Sequence, residues 1–192
     1  MPIDQPDAAA LERIAKDYRL DIAATDMEIY DGAVKGLLQS WDKVERLYAD
    51  VSLVAPDRAW RIAPDAENAL GAWYVKTDIQ ETTDGPLAGK RIAIKDNTSV
   101  AGVPMMNGSR TLEGFVPTED ATAVTRLLDA GAIIKGKAVC EDLCFSGGSH
   151  TSKPRPVLNP WDPTRSAGGS SSGSAGLVAT GEVDMASACD QG

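Results

Sequence analysis

The sequence has few of the residues that most often form catalytic triads or bind metal ions. Its 192 residues include one histidine, His150, and three cysteines, Cys140, Cys144 and Cys189. A single histidine inside a GGSH turn is more typical of a loop residue than of a triad member. Cys140 and Cys144 are four residues apart, but a zinc site needs a second pair of ligands. The odd number of cysteines, without a secretory signal, predicts free thiols. We expect neither a metal nor a cofactor.

Long apolar runs and an excess of positive charge are also absent. No run approaches the roughly 18 apolar residues of a membrane-spanning helix, and the first residues, MPIDQPDAAALERIAKDY, are rich in charge. The formal net charge is −9, which disfavours nucleic acid and anionic membranes as partners. These features predict a cytoplasmic protein that binds neither.

The most informative stretch is residues 165–192, RSAGGSSSGSAGLVATGEVDMASACDQG. Its glycines leave the backbone open around the serines at 170–172, so a substrate can meet hydroxyls beside bare main chain. Flexible linkers share this composition, but here apolar residues follow at helical spacing. A phosphate-binding P-loop would need lysine where Ser174 stands. The stretch therefore favours a catalytic loop.

Lys95 ends an alternating run, RIAIK at 91–95, which predicts a buried strand, and Asp96 and Asn97 then predict a turn. Amide hydrolysis needs an activated nucleophile, a proton donor for the leaving amine and a site for the oxyanion. A lysine acts as a base only when neutral, and burial opposes its charge, since an ordinary lysine has a pKa of about 10.4. The alternative is a strand-end lysine that extends into solvent.

These segments resemble the amidase signature enzymes, whose hallmark is a GGSSGGS loop followed by a small-residue helix and a D-x-GGS turn. The resemblance begins at about Leu87 and includes LAGKRIAIKDN, VPMMNGSR, DATAVTRLLDAGAIIKGKAVCEDLCFSGGS and NPWDPTRSAGGSSSGSAGLVATGEVDMASACDQG. The fuller likeness is to bacterial amidases of nitrile-degrading pathways. It implies an amidase that releases ammonia through an acyl-enzyme. A glutamine-dependent amidotransferase subunit is the alternative enzyme, and a non-catalytic protein on the same scaffold is the alternative class.

The resemblance implies a serine–serine–lysine triad in which Lys95 is the base and Ser170 the bridging serine. The family has a cis peptide bond before that serine. Local chemistry does not separate Ser170 from Ser171 and Ser172, and Ser172 stands where glycine is common. The nucleophilic serine is expected two positions after Gly192. We therefore expect the N-terminal part of an amidase, and a 192-residue piece that is inactive alone.

The same resemblance supplies candidates for the oxyanion hole and for substrate contacts. Gln191 and Gly192 are expected to contribute to the oxyanion hole through backbone N–H groups. Asp190 is expected to hold loop N–H groups, because a carboxylate beside the oxyanion would repel it. The loop that faces the nucleophile contributes Cys144, Phe145, Ser146 and Gly147. These residues suit a small aliphatic or aromatic amide.

The residues before about 85 are predicted to lie outside the catalytic core. After a Thr25–Glu28 capping box, apolar residues spaced three and four apart predict one striped helix of about 25 residues. The stripe consists of Met27, Tyr30, Val34, Leu37, Trp41, Val44 and Tyr48. It either packs on the protein's own core or forms a homodimer interface, as the related amidases suggest. We expect a helical region at 1–50, an extended connection at 51–85 and the first part of the catalytic domain at 86–192.

The catalytic region is predicted to alternate between strands and helices. Strands are expected at 92–95, 132–135 and 183–188, and helices at 120–130 and 174–180. Such alternation predicts an α/β fold in which helices cover both faces of the sheet. The resemblance implies that this sheet is mixed and that the N-terminal helical layer precedes it.

Overall fold

The computed structural model describes residues 3–51 and 53–190. The chain divides into two compact units, Met1–Ser52 and Leu53–Gly192. The helices are α1 (Ala8–Asp17), α2 (Met27–Val51), α3 (Thr122–Asp129) and α4 (Ser172–Ala179). The strands are β1 (Trp60–Arg61), β2 (Trp73–Ile79), β3 (Arg91–Lys95), β4 (Ile133–Ala138) and β5 (Met185–Ala186). Short 3₁₀ helices occur at Asp65–Glu67, Arg110–Leu112, Asp142–Cys144 and Ser149–Thr151.

The first unit consists of α1 and α2. The side chain of Asp7 accepts a hydrogen bond from the Ala10 N–H at 2.7 Å and caps α1. α2 has the predicted length, 25 residues. It begins two residues after Thr25, whose hydroxyl donates to the Asp26 carboxylate at 3.3 Å. None of the residues of α2 is buried, and Leu37 and Trp41 are 69% and 53% exposed.

None of the helices within 3–51 and 53–190 has the combination of length and hydropathy that crossing a membrane requires.

The second unit is organised around a mixed sheet with the strand order β1-β2-β4-β3-β5. β3 is parallel to β4 and to β5, whereas β2 is antiparallel to β1 and β4. Parallel neighbours require crossover connections, and α3 lies in the connection between β3 and β4. The predicted α/β class is confirmed.

Alternation along β3 divides the core between the two faces of the sheet. Ile92 and Ile94 pack into one cluster with Val124 and Leu128 of α3. Ala93 packs into a second cluster with Leu177 of α4, on the other face. Because side chains alternate, Lys95 follows Ala93 onto the α4 face. The side chain of Lys95 is thereby directed towards the serine-rich segment that begins α4.

β1 and β2 are the strands that sequence reasoning missed. Both lie inside 51–85, where an extended connection was expected. β2 is the longer of the two and pairs with both β1 and β4. Its residues, WYVKTDI, alternate between buried and more exposed positions, which is the signal of a strand with one covered face. The other predicted elements are present with shifted ends. The last strand is Met185–Ala186 instead of 183–188, and β4 ends at Ala138 instead of Lys135.

A buried ion pair lies behind the end of β3. Lys137 Nζ is 2.9 Å from Asp96 Oδ1, and both side chains are almost fully inaccessible to solvent. Asp96 Oδ2 accepts from the Met106 N–H at 3.0 Å. Burial raises the pKa of Asp96 and lowers the pKa of Lys137, while the opposite charge of each partner acts against the shift. The pair joins β4 to the turn after β3.

Replacing one partner of this pair will destabilise the protein strongly. Asp96→Asn or Lys137→Met should each lower the free energy of unfolding by about 3–5 kcal/mol, because the remaining charge is buried without its partner. The double substitution should cost less than the sum of the two. Urea unfolding measures all three.

Lys135→Met is the matched control for that series. Lys135 is also on β4, but its pair with Asp78 is at the surface, and exposed pairs contribute about 0–1 kcal/mol. If Asp96→Asn and Lys137→Met cost no more than this control, the buried pair is not the stabilising contact described here.

Candidate active site

Lys95 and Ser170 meet at the end of β3. Lys95 Nζ is 2.7 Å from Ser170 Oγ, a hydrogen-bond distance. The lysine side chain is completely buried, so it does not extend into solvent. Its backbone N–H donates to Ser187 Oγ at 2.8 Å, which ties β3 to the segment after β5. The two side chains are therefore held together without access to bulk water on the lysine side.

A close approach between α4 and the sheet brings Ser170 to this position. The Gly173 N–H donates to the Val139 carbonyl at 2.8 Å. A Cβ built on Gly173 would lie 2.5 Å from the Ala72 carbonyl oxygen, so no larger residue fits. This contact holds the start of α4 against the end of β4. The peptide bond between Gly169 and Ser170 is cis, the geometry that the family resemblance implied.

The three consecutive serines make different contacts. Ser171 Oγ donates to the Cys189 carbonyl at 3.1 Å and accepts from the Cys189 N–H at 3.2 Å. Ser172 Oγ donates to the Gly168 carbonyl at 2.9 Å. These two hydroxyls brace the loop, whereas that of Ser170 contacts Lys95. The contacts thus distinguish three serines that the local sequence does not distinguish. The relay role of Ser170 stays a prediction.

A cavity of about 280 Å³ opens beside Ser170. It is lined by Glu141, Cys144, Phe145, Gly147, Gly169, Ser170 and Asp190. Three of the four residues predicted to contact substrate, Cys144, Phe145 and Gly147, therefore lie on the same cavity as Ser170. Phe145 is 85% exposed and leaves a large apolar ring at the cavity edge. Ser146 is turned elsewhere, because its hydroxyl donates to the Glu141 carboxylate at 2.6 Å.

Glu141 is a residue of this site that sequence reasoning missed. It is 3% exposed, and its backbone N–H donates to the Ser170 carbonyl at 3.3 Å. Burial acts to raise the pKa of Glu141, but hydrogen bonds from Ser146 and from the N–H groups of Gly147 and Gly148 outweigh burial and hold the pKa below its usual range. The sequence signal was an acidic residue a few positions before Gly147 and Gly148. The backbone N–H groups of glycines are not covered by side chains.

The three cysteines are free thiols, and the histidine lies in an exposed turn. Cys140 and Cys144 are buried free thiols, and both contact Asn107 Oδ1, at 3.5 and 3.2 Å. Burial raises the pKa of the Cys140 thiol. Cys189 is exposed, and His150 is exposed in the turn Ser149–Thr151. In the described part of the chain, His, Cys, Asp and Glu side chains form no group of three or more that could hold a metal.

The predicted oxyanion-hole residues Gln191 and Gly192 lie outside the described residues. Asp190, directly before them, borders the cavity with Ser170. The contributions of these three residues stay predictions. What the described residues place together is a buried lysine, a serine hydroxyl and an acidic cavity wall, which is an arrangement able to move a proton next to a bound substrate.

Comparisons with known proteins find similar sequences and similar structures. A family model described as Amidase matches residues 34–192. The chain is 51% identical over 189 residues to the enantioselective amidase of Rhodococcus rhodochrous, an alignment that covers 97% of this chain and 37% of that protein. It is 49% identical over 117 residues to a glutamyl-tRNA(Gln) amidotransferase subunit from Methanosarcina acetivorans, covering 61% of this chain and 24% of that protein.

Among solved structures, a glutamyl-tRNA(Gln) amidotransferase subunit from Thermotoga maritima matches with a TM-score of 0.55 and 34% identity. That match covers 61% of this chain and 26% of the other. The chain spans well under half of the length of the curated relatives named above, 37% of the first and 24% of the second. The family match includes Lys95, Glu141 and Ser170.

Proposed function

This chain belongs to the amidase signature family, and from that membership we propose that the protein hydrolyses a carboxylic acid amide to the acid and ammonia. The observation that carries the proposal is the contact of 2.7 Å between Lys95 Nζ and Ser170 Oγ. A buried lysine beside a serine hydroxyl has a direct use in this chemistry, since the amine can take a proton that the hydroxyl passes on.

In the proposed mechanism the proton moves through two serines. A second serine, which the family pattern places two positions after Gly192, attacks the amide carbonyl carbon. Its proton passes to Ser170 Oγ as the proton of Ser170 passes to Lys95 Nζ. The same route in reverse delivers the proton to the leaving nitrogen, so that ammonia departs and an acyl-enzyme remains. Water then attacks the acyl-enzyme and releases the acid.

The cavity supports a small substrate. Its volume of about 280 Å³ and the ring of Phe145 suit a small aliphatic or aromatic amide. The net charge of −9 supports a small molecule as partner, without nucleic acid or a membrane. We propose that the protein acts in the cytoplasm.

An amidotransferase subunit is the second candidate, because relatives of that description match this chain. Their alignment covers 61% of this chain, whereas the alignment to the amidase covers 97%. The longer alignment therefore favours a free-standing amidase. Ammonia release from a simple amide by the purified protein, with no partner added, distinguishes the two functions.

Lys95 and Ser170 are the residues on which the proposed mechanism depends most. In the complete protein, Lys95→Ala should lower kcat/KM for amide hydrolysis by about 10²–10⁴-fold, the usual cost of losing a general base. Ser170→Ala should have an effect of similar size, since the relay is broken at its other end. Ammonia release under steady-state conditions measures both.

Ser171→Ala and Ser172→Ala are the controls in the same loop, since their hydroxyls contact backbone groups. Each should be less damaging than Ser170→Ala. A Lys95→Ala variant that retains activity within about tenfold of the parent would sink the assignment of the base. A greater loss in either control would show that the relay serine was wrongly chosen.

The exposed stripe of α2 supports a homodimer. Large apolar side chains along one helix face, among them Leu37, Trp41, Val44 and Tyr48, are at least half exposed, and a continuous apolar surface of this kind is typical of an interaction site. We propose that two copies of the protein associate through α2.

Replacing Leu37 and Trp41 together by serine should convert the dimer to a monomer, because the interface would lose the apolar surface whose burial stabilises it. Sedimentation velocity measures the change, and amide hydrolysis should persist. Trp161→Ser is the control, since Trp161 is 81% exposed but belongs to the second unit. A parent protein that already sediments as a monomer contradicts the proposed interface.

A further inference from the structure

The two carboxylate oxygens of Glu141 have different surroundings. Oε2 accepts from the Ser146 N–H at 3.0 Å, from Ser146 Oγ at 2.6 Å and from the Gly148 N–H at 2.7 Å. Each of these three hydrogen bonds ends on the same oxygen. Oε2 is therefore occupied in holding the turn at 146–148.

Oε1 lies close to the backbone of Gly169, the residue before Ser170. A Cβ built on Gly169 would lie 2.7 Å from Glu141 Oε1, so this oxygen is next to the peptide that carries Ser170. Glu141 also lines the cavity together with Gly169 and Ser170. The absence of a side chain at Gly169 is what leaves room for the carboxylate there. A molecule in this cavity therefore lies next to both Glu141 and Ser170.

The carboxylate is negatively charged at neutral pH. Burial opposes this, but the donors from Ser146, Gly147 and Gly148 outweigh burial and hold the pKa of Glu141 below its usual range. An ionised carboxylate accepts hydrogen bonds and donates none. Oε1 therefore favours a ligand group that carries N–H or O–H over one that carries only lone pairs.

We propose that Glu141 Oε1 accepts a hydrogen bond from the N–H of the scissile amide and so makes the site selective for amides over esters. The inference rests on the proposed function of this cavity. In that mechanism Ser170 returns the proton to the leaving nitrogen, so the nitrogen must lie next to Ser170, where Oε1 also lies. The second N–H of a primary amide then has an acceptor. The alkoxy oxygen of an ester has no hydrogen, and its lone pairs would face the negative charge of the carboxylate.

Glu141→Gln tests this with the shape of the side chain retained. The amide oxygen of glutamine can take the place of Oε2 and accept from Ser146 and Gly148, which puts its NH₂ group where Oε1 was. A donor would then face the N–H of the substrate. In the complete protein, kcat/KM for benzamide should fall by about tenfold or more, the effect of losing a hydrogen bond to a charged group. For methyl benzoate, which has the same acyl group, kcat/KM should stay within about twofold, because no N–H is involved.

Ser146→Ala is the control for the structural role. It removes one donor to Oε2, the hydroxyl, and leaves the backbone N–H and Oε1 in place, so any loss should be equal for benzamide and methyl benzoate. An equal loss for both substrates in Glu141→Gln would overturn the inference, as would no loss for either. A parent protein inactive on both substrates would instead contradict the proposed function, and the inference with it.

A second measurement applies if Glu141→Gln does not unfold cooperatively. The Ser170→Ala variant is expected to bind substrate and to turn it over slowly. In this variant, benzamide should bind at least about tenfold more tightly than N,N-dimethylbenzamide, which has no N–H. Isothermal titration measures both affinities. Equal affinities would overturn the inference without any change at Glu141.

Discussion

The complete burial of Lys95 at the end of β3 is the constraint on which the rest of the site depends. A lysine without solvent needs a polar partner, because a buried polar group without a hydrogen bond destabilises the fold. Ser170 Oγ lies at 2.7 Å and is in place because Gly173 lets α4 approach the sheet closely. The small side chain of Ala93 packs on the same face. The packing of α4 on the sheet and the chemistry of the pair therefore have one structural origin.

Local patterns in the sequence were sufficient for much of this arrangement. The pattern of RIAIK predicted the strand that ends at Lys95. The apolar spacing after Thr25 predicted the length of α2, 25 residues. Both patterns are periods of two or of three to four residues, which are set by neighbours along the chain. The membership of the family rested on the order of the motifs from about Leu87 onwards, and the match over residues 34–192 confirms it.

Features that depend on contacts between distant segments were not predictable in the same way. β2 was missed because the prolines and polar residues around it resemble a connection, although its pairing with β1 and β4 makes it an inner strand. Glu141 was missed because its role arises only when the turn at 146–148 and the peptide at 169–170 close around its carboxylate. The three serines differ only in what the fold puts opposite each hydroxyl.

A double-mutant cycle between Lys95 and Ser170 tests the central claim most directly. If the two side chains act as one proton relay, removing either already breaks it. The Lys95→Ala and Ser170→Ala double variant should then have a kcat/KM within about threefold of the weaker single variant, since residues that act as a unit are strongly non-additive. If the two losses multiply instead, Lys95 and Ser170 act independently, and the contact between them is not the relay described here.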